Sequence, residues 1–182
     1  MRRFLSSLLE VVELALVTVG AVILIRTFLV QPFLVNGSSM TPNFAHGDYL
    51  LIDELTYRFR PPERGEVVVF QNPNDERTYF IKRIIGLPFE RVEIRDNQII
   101  VVGNQDAKGI VLQEDYLPPA SITTGNTTIS LAEGRYFVLG DNRSYSYDSR
   151  SWGELSEERI VGLVRLRLWP IRDIQAFAAP EY

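Results

Sequence analysis

Two adjacent hydroxyls open the chemical question. In residues 36–42, NGSSMTP, Ser38 and Ser39 stand between Gly37, which lets the backbone turn sharply, and Pro42, which stiffens the exit. A hydroxyl becomes a nucleophile when a neighbouring base takes its proton and N–H donors stabilise the oxyanion that results. The chain offers two kinds of base. His46, its one histidine, lies in the turn sequence HGDY and would need an orienting carboxylate to complete a triad. Lys82 lies in the apolar sequence YFIKRIIGLP. On a strand, residues i and i+2 share a face, so Phe80, Lys82 and Ile84 lie together and Arg83 points the other way. A lysine among apolar neighbours loses its proton more readily, because burial disfavours the ammonium. From these stretches alone the serines read more readily as a polar turn, and Lys82 as a residue on a solvent-facing strand.

A third stretch, residues 140–153, is dense in polar groups: GDNRSYSYDSRSWG. Arg143 and Arg150 can pair with Asp141 and Asp148 and fix the loop, and a serine within it can position an amine. With no cysteine and one histidine, the chain has no disulfide, thiolate site or cysteine nucleophile, and no histidine-rich metal site is expected. A net charge of −4 leaves no basic footprint for nucleic acid.

The elements that must position these groups read as β. Short runs rich in Val, Ile, Tyr and Phe, separated by turn residues, predict strands at 49–53, 66–70, 78–85, 91–94, 98–102, 128–131, 135–139 and 160–169. RDNQ at 95–98 predicts a hairpin turn. LSEER at 155–159 predicts one helical turn capped by Ser156. Residues 103–127 read as a surface excursion with no chemistry. Many short strands with turns predict a mainly β fold, coiled antiparallel sheets forming a barrel-like single domain.

Ahead of that domain, Leu14 to Val35 carry one charge, Arg26. As a helix, 22 residues reach about 33 Å, enough to cross a hydrocarbon core of about 30 Å. Arg26 would snorkel to the headgroups or pair within the bilayer. A small-x-small cleavage site is poorly formed here, so the run reads as an uncleaved anchor. The expected organisation is a short cytoplasmic tail (1–13), a transmembrane anchor (14–35) and a catalytic domain (36–182). Arg2 and Arg3 favour an inside N-terminus and place the domain on the outer side of the membrane.

Taken in order, GSSMTP, GDYLLID, RGEVVVF, KRIIGLP and GDNRSYSYDSRSWG resemble the type I signal peptidases, the membrane-anchored serine–lysine proteases. The resemblance covers most of residues 26 to 169. It implies an endopeptidase that removes signal peptides from exported preproteins, with the bilayer as its setting and no cofactor or metal. By position it implies Ser39, immediately before Met40, as nucleophile and Lys82 as general base. Ser146 is then the serine that hydrogen-bonds the lysine amine. Asp141, Arg143, Asp148 and Arg150 form an ion-pair frame, and Phe33, Val35, Phe44 and Ile81 wall small substrate pockets. Two positions depart from the family pattern. Gly37 stands where some members carry an oxyanion-binding serine, and Phe89-Glu90 stand where a glycine–acid pair is common. Self-cleaving repressors share the Ser-Met and distant lysine but carry a DNA-binding domain in place of the apolar run. A membrane-anchored β domain that only binds partners is the reading outside enzymes.

Overall fold

The computed structural model describes residues 10–20, 30–103 and 109–180. Among the described residues twelve strands build two antiparallel sheets. The larger contains β1 (Val30–Leu34), β2 (Tyr49–Asp53), β3 (Val67–Asn72), β4 (Asp75–Gly86), β9 (Arg135–Leu139), β10 (Leu155–Ser156), β11 (Ile160–Trp169) and β12 (Gln175–Ala176). Its order is β1-β2-β11-β3-β4-β9-β10, with β12 added on β11. The smaller sheet contains β5 (Arg91–Arg95), β6 (Gln98–Val102), β7 (Ile110–Val111) and β8 (Thr127–Ser130), in the order β7-β6-β5-β8.

The expected mainly β, antiparallel character is observed, but the barrel is not: neither sheet closes on itself. Period-two patterning identifies strands and their faces without naming their partners. Strand β3 shows how the larger sheet is buried. Val67 and Val69 join one core cluster with Val35, Met40, Phe44, Leu50, Ile52 and Val164, while Val68 and Phe70 join another with Ile84, Tyr136, Val138 and Leu155. Both faces are covered, so VVVF reads as a continuous apolar run and not as an alternation. A third cluster, including Ile85, Val92, Ile94, Ile99, Val101, Phe137 and Leu139, joins the smaller sheet to the larger.

The bounds of β2, β6, β9 and β11 match the sequence expectation. The turn between β5 and β6 is the expected two-residue hairpin. Asp96 (φ 52°) and Asn97 (φ 61°) take the positive φ that this tight turn demands, and Arg95 faces Gln98. At 155–159, β10 precedes a 3₁₀ turn, Glu157–Arg159, and Ser156 makes no side-chain cap. Phe89 keeps the turn of a glycine at φ 68°, while its neighbour Glu90 receives Leu87 N–H (2.7 Å) and Arg64 Nη2 (2.6 Å).

The expected anchor is changed at its end. Residues 10–20 form a helix, α1, exposed throughout; 21–29, including Arg26, lie outside the described residues. Val30–Leu34 is β1, paired with β2 from Val30↔Asp53 to Leu34↔Tyr49, and Val35 N–H donates to Asp48 O (2.9 Å). An apolar run ending at Val35 is therefore part strand. Pro32 lacks the N–H and clashes with the preceding turn, so it opposes helix there, and the folded domain begins before residue 36. Among the described residues no helix is long and apolar enough to cross a membrane.

Candidate active site

Ser39 sits on the irregular turn between β1 and β2. The hydroxyl of Thr41 and its N–H both reach Ser38 O (3.0 and 3.2 Å), and Phe44 N–H donates to Met40 O (2.9 Å). Met40 and Phe44 plug the turn into the core beneath it. Gly37 has φ 113°, a left-handed conformation that glycine adopts without steric cost. From the other side the 140–153 loop staples the turn. Asn142 N–H donates to Ser39 O (3.0 Å), and Asn142 Nδ2 donates to Ser38 O and to Thr41 Oγ1 (both 3.0 Å). Gly140 is required at this junction, because a Cβ there would overlap Ser146 Oγ and Ser39 O.

Lys82 arrives from β4, opposite Val68 of β3. It is 3% exposed. Its Nζ makes two hydrogen bonds, to Ser39 Oγ (2.8 Å) and to Ile81 O (2.9 Å), and lies 5.3 Å from the centroid of the Phe80 ring. Burial pushes the amine down to about 8, against the opposing pull of the Asp148 and Asp141 charges. A lysine ordinarily titrates near 10.5. The pair thus joins a hydroxyl to an amine able to be neutral near physiological pH. Ser38 is exposed and Ser39 half-buried, so the structure separates the two serines. His46 is brought to neither: it is exposed, and its Nδ1 accepts the Gly37 N–H at 3.4 Å.

The ion-pair frame exists with different partners. Arg150 grips Asp148 through Nε (2.8 Å) and Nη2 (2.9 Å). Asp148 also receives Gly140 N–H (3.1 Å) and caps the short helix α2 (Ser149–Trp152). Asp141 does not pair with Arg143. It is held by Arg83, Nε to Oδ1 at 2.9 Å and Nη2 to Oδ2 at 2.7 Å, and by Asn43 Nδ2 at 2.8 Å. Arg143 turns to Glu114, with Thr123 and Tyr116 as further partners. Glu114, Tyr116 and Thr123 all belong to the 103–127 stretch, expected to be inert. Nothing in its composition marks Glu114 as the partner of a residue 29 positions later. Alternation gave only that Arg83 faces away from Lys82; because both faces of β4 are covered there, Arg83 is buried as well.

Ser146 does not make the expected bond. Its Oγ is buried and has no hydrogen-bond partner among the described residues, while the lysine amine is occupied by Ser39 and the Ile81 carbonyl. Around the Ser39–Lys82 pair runs a cleft of about 430 Å³. Phe33, Val35 and Ile81 line it, joined by Leu50, Val69 and Tyr147. Phe44 is not a wall. It is fully buried behind the cleft, its ring centroid 4.5 Å from that of Phe177. The resemblance implied Phe44 as a wall of the site; only packing tells a wall from the support behind it.

The family described as "Signal peptidase, peptidase S26" matches residues 8–169. The chain belongs to this family. It is 40% identical over 169 residues to a probable signal peptidase I-2 of Synechocystis, covering 87% of this chain and 73% of that one. It is 34% identical to signal peptidase I V of Bacillus subtilis, over 81% of this chain and 91% of the relative. Against signal peptidase I of Leptolyngbya laminosa the identity is 32%, over 96% and 86% of the two chains. A solved signal peptidase I from Enterococcus faecalis is 32% identical, with a TM-score of 0.48 over 57% of this chain and 97% of that one. Family membership makes the chain a serine endopeptidase of the type I signal peptidase class.

Proposed function

We propose that this chain is a membrane-anchored signal peptidase in which Ser39 is the nucleophile and Lys82 the general base. The observation that carries the reading is the 2.8 Å contact between Ser39 Oγ and the Nζ of a buried lysine, at the edge of an apolar cleft. Neutral Lys82 takes the hydroxyl proton as Ser39 Oγ bonds to the scissile carbonyl carbon and the carbonyl electrons move onto oxygen. The Ser39 N–H, which makes no hydrogen bond among the described residues, is available to that oxyanion. With Gly37 bringing no hydroxyl, backbone donors carry this role. The intermediate collapses with loss of the C–N bond, and the Lys82 ammonium returns its proton to the leaving amine. Water, deprotonated by the same lysine, then hydrolyses the acyl-enzyme and frees Ser39.

The substrate lies extended in the cleft. Two features support this: β1 ends the larger sheet, and β4 pairs with β9 only from Arg83 onward, so Tyr79–Lys82 keep one edge open among the described residues. Both edges line the cleft and suit β-augmentation. Val35, Leu50 and Ile81 leave room for small residues at −1 and −3 of a signal peptide. With Val30–Leu34 taken by β1, the membrane pass falls on residues 10–29, which would reach about 30 Å as a helix, with Arg2 and Arg3 inside and the β domain on the outer side.

The test is incubation of the detergent-solubilised protein with a preprotein, followed by N-terminal sequencing of the product. A single new N-terminus after a small residue is expected from the parent, with no product from Ser39→Ala. Cleavage by Ser39→Ala, or none by the parent, would overturn the assignment.

A further inference from the structure

The segment after β11 lies beyond the residues matched to the family, and it folds back as a strap. Its 3₁₀ turn, Ile171–Asp173, leads into β12, where Gln175 and Ala176 pair with Arg167 and Leu166. Phe177 N–H then donates to Arg165 O (2.9 Å). Two side chains connect this strap to the turn that carries Ser39. The Phe177 ring packs on Phe44, which is itself closed onto Met40, the residue next to Ser39. Arg167 works from both sides. Toward the strap, Nε donates to Asp173 O (2.9 Å) and Nη2 to Gln175 Oε1 (3.0 Å). Toward the turn, Nη1 donates to Asn43 O and to Asp48 Oδ2 (both 2.9 Å). That same Asp48 oxygen accepts Ala45 N–H (2.9 Å), and Asn43 reaches on to Asp141. The guanidinium also lies 5.5 Å from the Phe177 ring centroid, so the two side chains hold one another.

One planar, always-charged group is thus shared between an appended strand and an irregular turn that has no ladder of its own. Such a turn keeps a hydroxyl in register with its base only as well as its supports allow, and a displacement of about 1 Å at a reacting group costs on the order of 10²-fold in rate.

We propose that the strap positions the Ser39 turn, with Phe177 and Arg167 as its positioning residues. The idea rests on the reading of Ser39 as nucleophile. A strap that merely seals the core would affect stability everywhere and the turn no more than the rest.

The variants are Phe177→Ala, Arg167→Gln and the conservative Phe177→Leu, in the full chain. Two readouts separate the possibilities: amide hydrogen exchange at Phe44, Gly47 and Asp48, and steady-state cleavage of a peptide spanning a signal-peptide junction. In Phe177→Ala and Arg167→Gln we expect exchange in the turn to quicken about tenfold, while Phe137 and Val138 of β9 keep the parent's rates. We expect kcat to fall about tenfold with KM within about twofold, and Phe177→Leu to recover most of it. Unchanged exchange in the turn, an equal rise across β9, or an unchanged kcat in a loosened turn would overturn the proposal. Failure of the parent to cleave the peptide counts against the nucleophile assignment, and the exchange data still decide whether strap and turn are coupled.

Discussion

The two faces of β4 at residues 82 and 83 place neighbouring cations in opposite situations. Both are buried, Lys82 at 3% and Arg83 at 6% exposed. Arg83 meets a carboxylate with two parallel hydrogen bonds, a third to Gly65 O (2.8 Å), and the Tyr116 ring 4.0 Å below its guanidinium. Lys82 meets a hydroxyl and a carbonyl, neither of them charged. Burial costs either cation its hydration. With Asp141 the loss is offset on one face, so Arg83 remains a fixed charge that binds β4 to the 140–153 loop. On the other face the loss is expressed as a lowered proton affinity, which is what a general base needs. One strand therefore carries a structural cation and a titrating one, and the presence of a carboxylate partner is the difference.

Removing the partnered cation should have the largest effect on stability. Arg83→Met leaves Asp141 buried without its arginine, and a loss of about 3–5 kcal/mol in urea unfolding is expected. Lys82→Met should act in the opposite direction while abolishing cleavage. Its folded value near 8 lies below the ordinary 10.5. Below pH 8 both folded and unfolded chains hold the proton and the burial penalty is felt in full. Between 8 and 10.5 the unfolded chain holds more protons, so the parent gains stability as pH rises. The shift corresponds to about 3 kcal/mol as an upper bound. Lys82→Met is therefore expected to be at least as stable as the parent at pH 7, with the advantage shrinking above pH 8. A loss of several kcal/mol would make Lys82 a structural partner and erase the contrast. Exchanging the two cation types sharpens it: Arg83→Lys keeps the charge and loses the fork, for about 1–2 kcal/mol, whereas Lys82→Arg brings a group that stays protonated and should be inactive though folded. Smallest of all, Ser38→Ala should leave kcat/KM within about threefold, because removing an exposed hydroxyl away from the amine costs a few tenths of a kcal/mol.

Much of this contrast was legible before the structure. Alternation put Lys82 and Arg83 on opposite faces, and the motif order singled out Ser39 over Ser38. The strands with β-branched residues and clear turn punctuation, β2, β6, β9 and β11, stood at their expected bounds. Partner choice was not legible. Asp141 takes Arg83 and not the nearer Arg143, because a charge pairs with what the tertiary fold brings to it. Glu114 sat in a stretch without periodicity, Phe44 differed from a cleft wall only in depth, and β1 was masked by an apolar run that reads the same as helix or strand. Ser146 lacks the bond that the resemblance implied, since the amine's two partners come from Ser39 and from the Lys82 strand itself.

The central claim, that Lys82 works because it is buried with no carboxylate in contact with its amine, is tested most directly by the pH dependence of kcat/KM for a signal-peptide substrate. The account predicts an acid limb with a midpoint near the lowered value of about 8, rising tenfold per pH unit below it. It also predicts that a lysine-specific titration in the free protein reports the same midpoint and vanishes in Lys82→Met. A profile flat from pH 6 to 9, or a limb at the ordinary lysine value near 10.5, would contradict it.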